Sequence, residues 1–193
     1  MQSTSTKIPV DATEIGFDLQ AGDWVAPYGK GSVGDFIFVV NRTIKSSREY
    51  RATLQLSFNN KGDGLIPQPD ANSHGSELLL PRIAPENGYE PARTWNRGRA
   101  PSVSRPDLFE ETANVAAYFF RVRTVLDEKG KVKSAVYGKL YEDVRLYVGT
   151  KSPKAGLGFT YYLNPTPNDR NVEFNPQKNL FTASHDLDQV TAP

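Results

Sequence analysis

Strict alternation of apolar and polar residues over residues 49–58 is the feature that most constrains how this chain can fold. Every second position is apolar or small, and the intervening positions are polar. The apolar set is Tyr50, Ala52, Leu54, Leu56 and Phe58, and the polar set is Arg51, Thr53, Gln55 and Ser57. A period of two is that of a β-strand, because successive side chains point to opposite faces of a sheet. The segment is therefore predicted to be a strand with one buried face.

Most of the remaining chain carries the same kind of signal. Residues 15–19 alternate in the same way, and residues 35–40 are apolar on both faces, as in a strand that is covered on both sides. Residues 117–126 and 131–148 are joined by residues 127–130, whose aspartate and glycine are typical of a hairpin turn. These segments are predicted to be strands, and the last two are predicted to pair.

Further segments fit strands less regularly. We predict strands at residues 77–83 and 157–163 and a very short strand at residues 172–174. We also expect residues 35–40 to pair with residues 49–58 across a polar loop.

Helical signals are confined to residues 107–114, where Asp107 can cap one or two turns with Glu110 at the third position. Strands and helices do not alternate along the chain, which argues against a Rossmann or barrel α/β fold. Residues 59–106 are rich in proline and glycine and indicate a long connection. The sequence therefore predicts an all-β fold, an antiparallel β-sandwich or jelly roll with a long Pro/Gly-rich connecting loop and at most one short helix.

We expect a single domain with flexible ends. A length of 193 residues suits one large all-β domain, and 10 Phe, 9 Tyr and 2 Trp are enough to form its core. The predicted bounds are 1–12 for a flexible N-terminal segment, 13–181 for the β-sandwich domain and 182–193 for a flexible C-terminal tail.

Composition excludes several classes of function. The chain has no cysteine, which excludes disulfides, thiolate metal sites and cysteine nucleophiles. A formal net charge of +1 argues against nucleic-acid binding, which usually shows a basic surplus. The apolar runs are far shorter than the roughly 20 residues of a membrane span. The polar start lacks the apolar core of a signal peptide, and we predict an extracellular or periplasmic protein whose export signal has been removed.

The segment around Trp95 is the first candidate binding site. The residues expected to contact a ligand are Tyr89, Arg93, Trp95, Arg97 and Arg99. On an exposed loop, an aromatic face with flanking arginines suits sugar rings, acidic glycans or an acidic protein surface. The alternative is that Trp95 packs into the core while the arginines bond to carbonyl groups. A fully buried Trp95 would rule out the loop version of the site.

One face of the strand predicted at 131–148 is the second candidate. Alternation places tyrosines and cations on this face, and the expected ligand contacts are Tyr137, Tyr141, Arg145 and Tyr147. Arg121 and Arg123 of the preceding strand extend the face only if a bulge intervenes, because a regular hairpin places them on the other side. The alternative is an ordinary solvated face. A β-bulge is expected at residues 142–143, where charges interrupt the alternation.

Residues suited to metal binding and catalysis are sparse. Asn59 and Asp63 lie in a glycine-rich turn and are a candidate calcium site, although the spacing of a helix–loop–helix site is lacking. The two histidines do not form a catalytic triad by sequence adjacency. Adjacent carboxylates, as at residues 110–111, point to opposite faces of a strand, so a glycosidase pair would have to be assembled across strands.

We predict a non-enzymatic binding module of an exported or surface protein, which recognises a glycan or an envelope protein through the aromatic and arginine-rich segment. The alternative is a structural subunit of an extracellular or particle assembly, and the third choice is a carboxylate-based carbohydrate-active enzyme. Sandwich folds host all three. Apart from calcium, we expect no cofactor, and we expect neither a nucleic-acid partner nor a membrane span.

Overall fold

A computed structural model describes residues 2–68, 80–101, 107–108 and 117–178 of the chain. Within these residues the regular structure consists of eleven strands and one short 3-10 turn at Pro176–Lys178. The strands are β1 (Gln2–Ile8), β2 (Ile15–Asp18), β3 (Asp23–Trp24), β4 (Phe36–Ser46), β5 (Glu49–Ser57), β6 (Gly64–Gln68), β7 (Ala92–Arg99), β8 (Asp107–Leu108), β9 (Ala117–Leu126), β10 (Val132–Tyr147) and β11 (Ala155–Asn164). In the described part of the chain, no helix has the length and apolar character needed to cross a membrane.

Two antiparallel sheets form the fold. Sheet A has the strand order β1-β11-β10-β9-β6, and sheet B has the order β3-β2-β4-β5-β7-β8. One face of each sheet contributes to a shared hydrophobic core. The predicted all-β sandwich is therefore confirmed.

Aromatic rings fill the space between the sheets. Sheet B contributes Phe17, Phe36 and Phe38, and sheet A contributes Phe120 and Phe159, all of them at most 4% exposed. The ring centroids lie 5.1 Å apart in the pairs Phe17–Phe159 and Phe36–Phe120, with edge-to-face geometry. Each such pair adds roughly 0.5–1.5 kcal/mol to the gain from burial. The aromatic residues of the sequence thus join the two sheets.

The alternation in β5 has the predicted consequence. Leu54 and Leu56 are fully buried, whereas Arg51 and Gln55 are exposed on the outer face of sheet B. The side of β5 that faces solvent therefore follows directly from the period-two pattern.

Both predicted hairpins are confirmed. β4 pairs with β5, although β4 continues to Ser46 through residues that were expected to form a loop. β-Branched residues in this stretch, Thr43 and Ile44, suit an extended strand. β9 pairs with β10, and in the turn between them Asp127 accepts two backbone hydrogen bonds while Gly130 adopts a φ of 76°.

Two short segments differ from the prediction. Gln2–Ile8, expected to be flexible, is strand β1 and pairs with β11 along its whole length. Backbone pairing needs no apolar side chains, which is why composition did not indicate this strand. Asp107–Leu108 pairs with β7 as β8 instead of beginning a helix. The rest of the predicted helix, and the tail at 182–193, lie outside the described residues, and the domain bounds 13–181 stay a prediction.

Strands were also predicted at 77–83 and 172–174, and no strand is formed by the residues of either segment that the structure describes. Ile83 and Asn171 form an isolated bridge instead, and residues 77–79 lie outside the described part. Leu80, Ala84 and Val172 pack with Phe119 and Tyr137 in a second, smaller core on the outer face of sheet A. The stretches around residues 80–90 and 164–174 therefore form a partial third layer.

A bulge in β9 changes the direction of Arg123. The register between β9 and β10 shifts beside this residue, and its φ of 55° lies in the left-handed region. A residue with a Cβ is strained there by about 1–2 kcal/mol. The hairpin closes at Asp127 and Lys131, one residue later than a loop of residues 127–130 would, so Arg121 lies opposite Tyr137. Arg121 therefore shares the face of Tyr137, which was expected only for an irregular hairpin.

The Arg123 guanidinium joins the two sheets. Its Nε and Nη2 each donate to the Asp35 carboxylate at 2.8 Å, and Nη2 also donates to Asp18 at 2.9 Å. The side chains of Asp35 and Asp18 are 1% and 5% exposed. Burial raises the pKa of Asp18, but backbone amides from residues 21, 32 and 33 and the charge of Arg123 outweigh it, so the pKa lies below its ordinary value.

Replacing Arg123 is expected to destabilise the fold strongly. Arg123→Met leaves Asp35 buried without its counter-charge, and removing one partner of a buried pair costs about 3 kcal/mol or more. Lys45→Met is the control, because it removes a pair whose side chains are 72% and 37% exposed and which contributes about 0.5 kcal/mol. Urea unfolding measures both free energies. An equal loss of unfolding free energy in the two variants would show that Arg123 does not hold the sheets together.

Candidate functional site

Trp95 is a core residue, so the predicted binding loop does not exist. Trp95 lies in β7, is 4% exposed and pairs with Leu54 on the core face of sheet B. Its indole packs edge to face on Tyr118 with centroids 6.0 Å apart, and its Nε1 donates to the Tyr118 hydroxyl at 3.3 Å. The segment is strand β7, and Trp95 lies on the side of this strand that faces the core. The loop version of the site is wrong for this reason.

The three arginines of β7 share the side of Trp95. They alternate with it in the register: Arg93 lies opposite Leu56, Arg97 opposite Ala52 and Arg99 opposite Tyr50. The Arg93 guanidinium lies over the ring of Tyr118, 5.6 Å from its centroid. Arg97 and Arg99, nearer the end of the strand, border two hollows that are described below.

Tyr89 and Tyr137 belong to the second core. Their ring centroids lie 6.3 Å apart, and Tyr137 is 4% exposed. Arg121 lies over the ring of Tyr89 at 4.5 Å and donates to the carbonyl groups of Gly62 and Glu86. These contacts bind the layer around residues 80–90 to sheet A. Both tyrosines therefore have a packing role, and neither lies on a face that is open to a ligand.

Lys139 is buried under the same layer. It is 2% exposed, and its Nζ donates to the carbonyl oxygen of Leu80 at 2.8 Å. Burial lowers the pKa of the Lys139 ammonium to about 8, although the charge of Glu173 acts in the opposite direction. The sequence placed this lysine on the tyrosine face, but it contained no sign of the layer that covers it.

The last residues of the predicted tyrosine face reach solvent. Tyr141 is half-buried, whereas Arg145 and Tyr147 are exposed. The register between β10 and β11 shifts between Tyr141 and Arg145, which confirms the predicted bulge at residues 142–143. Arg145 and Tyr147 are therefore the members of this set with exposed side chains.

Asp63 of the calcium candidate is held by donors of the protein. Its carboxylate accepts hydrogen bonds from the amides of Arg123 and Thr124 at 3.1 and 2.8 Å and from the side chain of Asn60 at 3.1 Å. Asn59 is exposed. Across the described residues, no three acidic or histidine side chains are grouped so that they could hold a metal ion. Asp63 caps the β9 bulge, which is a structural task.

A cleft of about 560 Å³ opens where the β4–β5 hairpin meets the end of β7. Its described lining residues are Thr43, Lys45, Glu49, Tyr50, Arg51, Arg99, Ala100 and Pro101. The register brings them together, because Arg51 pairs with Thr43 on one side and Tyr50 pairs with Arg99 on the other. The volume lies within the range of roughly 300–1,000 Å³ that is typical of ligand pockets.

The cleft is cationic. Among its described lining residues, Lys45, Arg51 and Arg99 are positive and Glu49 alone is negative, which leaves a formal charge of +2. Glu49 accepts a 2.7 Å hydrogen bond from Lys45. Arg51 makes no ion pair or side-chain hydrogen bond within the described part of the chain. Its donors are thus available to a ligand.

A second hollow of about 310 Å³ borders the cleft along the pairing of β5 with β7. Arg51 lines both hollows, and Thr53, Asn96 and Arg97 line the second. Thr53 and Asn96 lie directly opposite each other in β5 and β7. We call the cleft and this hollow together the β5 groove; Arg51 lies at the junction of its two parts.

The β5 groove suits an anion that also carries hydroxyl groups. A guanidinium binds a carboxylate through two parallel hydrogen bonds, and threonine and asparagine side chains offer donors and acceptors to hydroxyls. Glycoside hydrolysis needs two carboxyl groups about 5–10 Å apart. Glu49 is the one acidic residue among the described lining residues of the groove. The described lining of the groove thus supplies no such pair.

Sequence reasoning identified Arg97 and Arg99 but missed Arg51, Thr53 and Thr43. The signal for Arg51 and Thr53 was present, since both occupy the polar face of the most regular strand. The β7 residues that lie beside Arg51 and Thr53 could not be found in this way, because the pairing of β5 with β7 joins residues far apart in the sequence.

No protein-family model matches the chain, and searches of curated proteins and of solved structures found no match either. The function is therefore inferred from the geometry of the groove.

The buried Lys139 gives stability a specific pH dependence. Its pKa of about 8 lies below the ordinary lysine value of 10.5, so between these values the unfolded chain binds more protons than the folded one. The free energy of unfolding should therefore rise with pH over this window. Below the window, the cost of burying the charged Lys139 ammonium lowers the stability by its full amount. Stability of the wild type relative to Lys139→Met is expected to increase from about pH 7 to about pH 10 in urea unfolding. Lys133→Met, at an exposed position, is the control, and a constant difference for Lys139→Met would contradict the account.

Proposed function

We propose that the protein is a non-enzymatic binding module that holds an acidic glycan in the β5 groove. The observation that carries the proposal is the position of Arg51, which lines both hollows and makes no ion pair or side-chain hydrogen bond within the described part of the chain. A uronic acid presents a carboxylate beside ring hydroxyls. The groove offers a guanidinium beside the hydroxyl and amide of Thr53 and Asn96.

A glycan suits the groove better than an envelope protein does. The two hollows are small and concave, with volumes of about 560 and 310 Å³. Stable protein–protein contacts usually cover about 800 Å² on each partner. A chain of two or three sugars suits a narrow groove of this kind, and acidic glycans of this kind are met outside the cell. An extracellular or periplasmic location is thus part of the proposal.

A structural subunit is the second candidate, and strand β1 favours it. β1 runs over seven residues at the edge of sheet A and pairs on one side with β11. An edge strand of this length can add a strand from another copy. Light scattering distinguishes the candidates, because a binding module predicts a monomer and an assembly subunit predicts a large oligomer.

Arg51 is expected to dominate binding of an acidic sugar. Calorimetry with a galacturonic-acid tetramer should give a Kd for the β5 groove that is about tenfold or more higher for Arg51→Ala, since a charged hydrogen bond contributes roughly 1.5–3 kcal/mol. Lys129→Ala removes the same charge from the exposed β9–β10 turn and should leave the Kd unchanged. A neutral galactose tetramer should bind the wild type more weakly than the acidic one. Equal Kd values for the two tetramers, or for Arg51→Ala and wild type, would refute the proposal.

A further inference from the structure

We propose that the outer face of sheet A carries a second sugar-binding surface, centred on Tyr147, which makes the protein bivalent for acidic glycans. The chemical class of the ligand rests on the proposed function. The surface itself uses other residues and lies on the opposite side of the sandwich from the β5 groove.

The ring of Tyr147 is an exposed aromatic plate. Tyr147 is 56% exposed, the highest value among the large hydrophobic residues that the structure describes. Within the described part of the chain its ring makes no contact with another ring, and its hydroxyl makes no hydrogen bond. Packing of the core does not explain an aromatic residue at this position. The apolar face of a sugar ring is the kind of surface that stacks on such a plate.

Glycine on the neighbouring strand leaves room for this stacking. Tyr147 lies opposite Gly156 of β11, where a Cβ would come within 3.1 Å of the Tyr147 Cβ and 3.3 Å of its Cδ2. The tyrosine therefore lies against the backbone of β11, and the exposed part of its ring is left for a sugar ring to stack on.

A cation flanks the plate. Lys7 of β1 lies opposite Gly156 on its other side, so β1 places an ammonium on the same face as Tyr147. Lys7 is exposed. Its charge complements the carboxylate of a uronic acid, whereas a neutral sugar would gain stacking alone. This charge is the reason for assigning an acidic glycan to the surface.

Two sites on opposite faces have a consequence that one site lacks. A protein with both sites links separate chains of a polymer, and the second binding event to one chain occurs at high effective concentration. The proposed activity is therefore cross-linking of an acidic polysaccharide.

Stoichiometry tests the second surface directly. Calorimetry with the galacturonic-acid tetramer should give two ligands per chain for the wild type and one for each of Tyr147→Ala and Arg51→Ala. Tyr147→Phe keeps the plate and should keep both sites. Tyr28→Ala removes another exposed tyrosine, 42% exposed, and should also keep both. One ligand per chain in the wild type, unchanged in Tyr147→Ala, would overturn the inference while leaving the β5 groove intact.

Cross-linking gives a second readout. Wild-type protein mixed with polygalacturonate should raise light scattering, and Tyr147→Ala should not. If Tyr147→Ala abolishes tetramer binding while Arg51→Ala has no effect, binding at the Tyr147 surface is supported and binding in the β5 groove is refuted. If an oligothymidylate of equal charge binds the Tyr147 surface as tightly as the acidic sugar, the assignment to a glycan is overturned.

Discussion

Packing of aromatic rings between the two sheets is the interaction on which the rest of the structure depends. Phe36 and Phe120 meet edge to face at 5.1 Å, and similar pairs extend along the interface. A slip of one residue in any of these strands would turn its apolar face outward, so the core fixes the register. The same constraint places Trp95 inside and Arg51 outside. The groove and the Tyr147 surface are therefore consequences of how the core packs.

Two arginines connect the sheets at opposite ends of the sandwich. Arg123 holds Asp35 and Asp18 at one end. Near the other end, Arg42 of β4 donates to the carbonyl oxygens of Gly149 and Ser152, in the loop between β10 and β11, at 2.8 and 2.7 Å. This second link anchors the strand that forms one wall of the β5 groove. A groove built on paired strands and anchored in this way needs little reordering to bind, and preorganisation of this kind favours affinity.

Local pattern predicted much of the fold and less of the site. Alternation gave the buried faces of β5 and β10, and the aspartate and glycine of the β9–β10 turn gave the hairpin. In β7 the same rule gives no apolar face, because Trp95 shares its side of the strand with three arginines, and the segment was therefore predicted to be a loop. Strand β1 and the layer over Lys139 depend on contacts between segments that are distant in the sequence. Local sequence preferences do not indicate such long-range contacts. For that reason the β5 groove could not be predicted from the sequence.

The most direct measurement of the central claim is an NMR titration of the labelled protein with a galacturonic-acid trimer. Signals from backbone amides and from arginine Nε–H groups report which residues meet the ligand. The account predicts that the largest shifts occur at Arg51, Thr53 and Asn96, with a second set beside Tyr147 and the smallest shifts at the Arg123 end of the sandwich. Shifts that are absent from these three residues, or that are spread evenly over the surface, would contradict it.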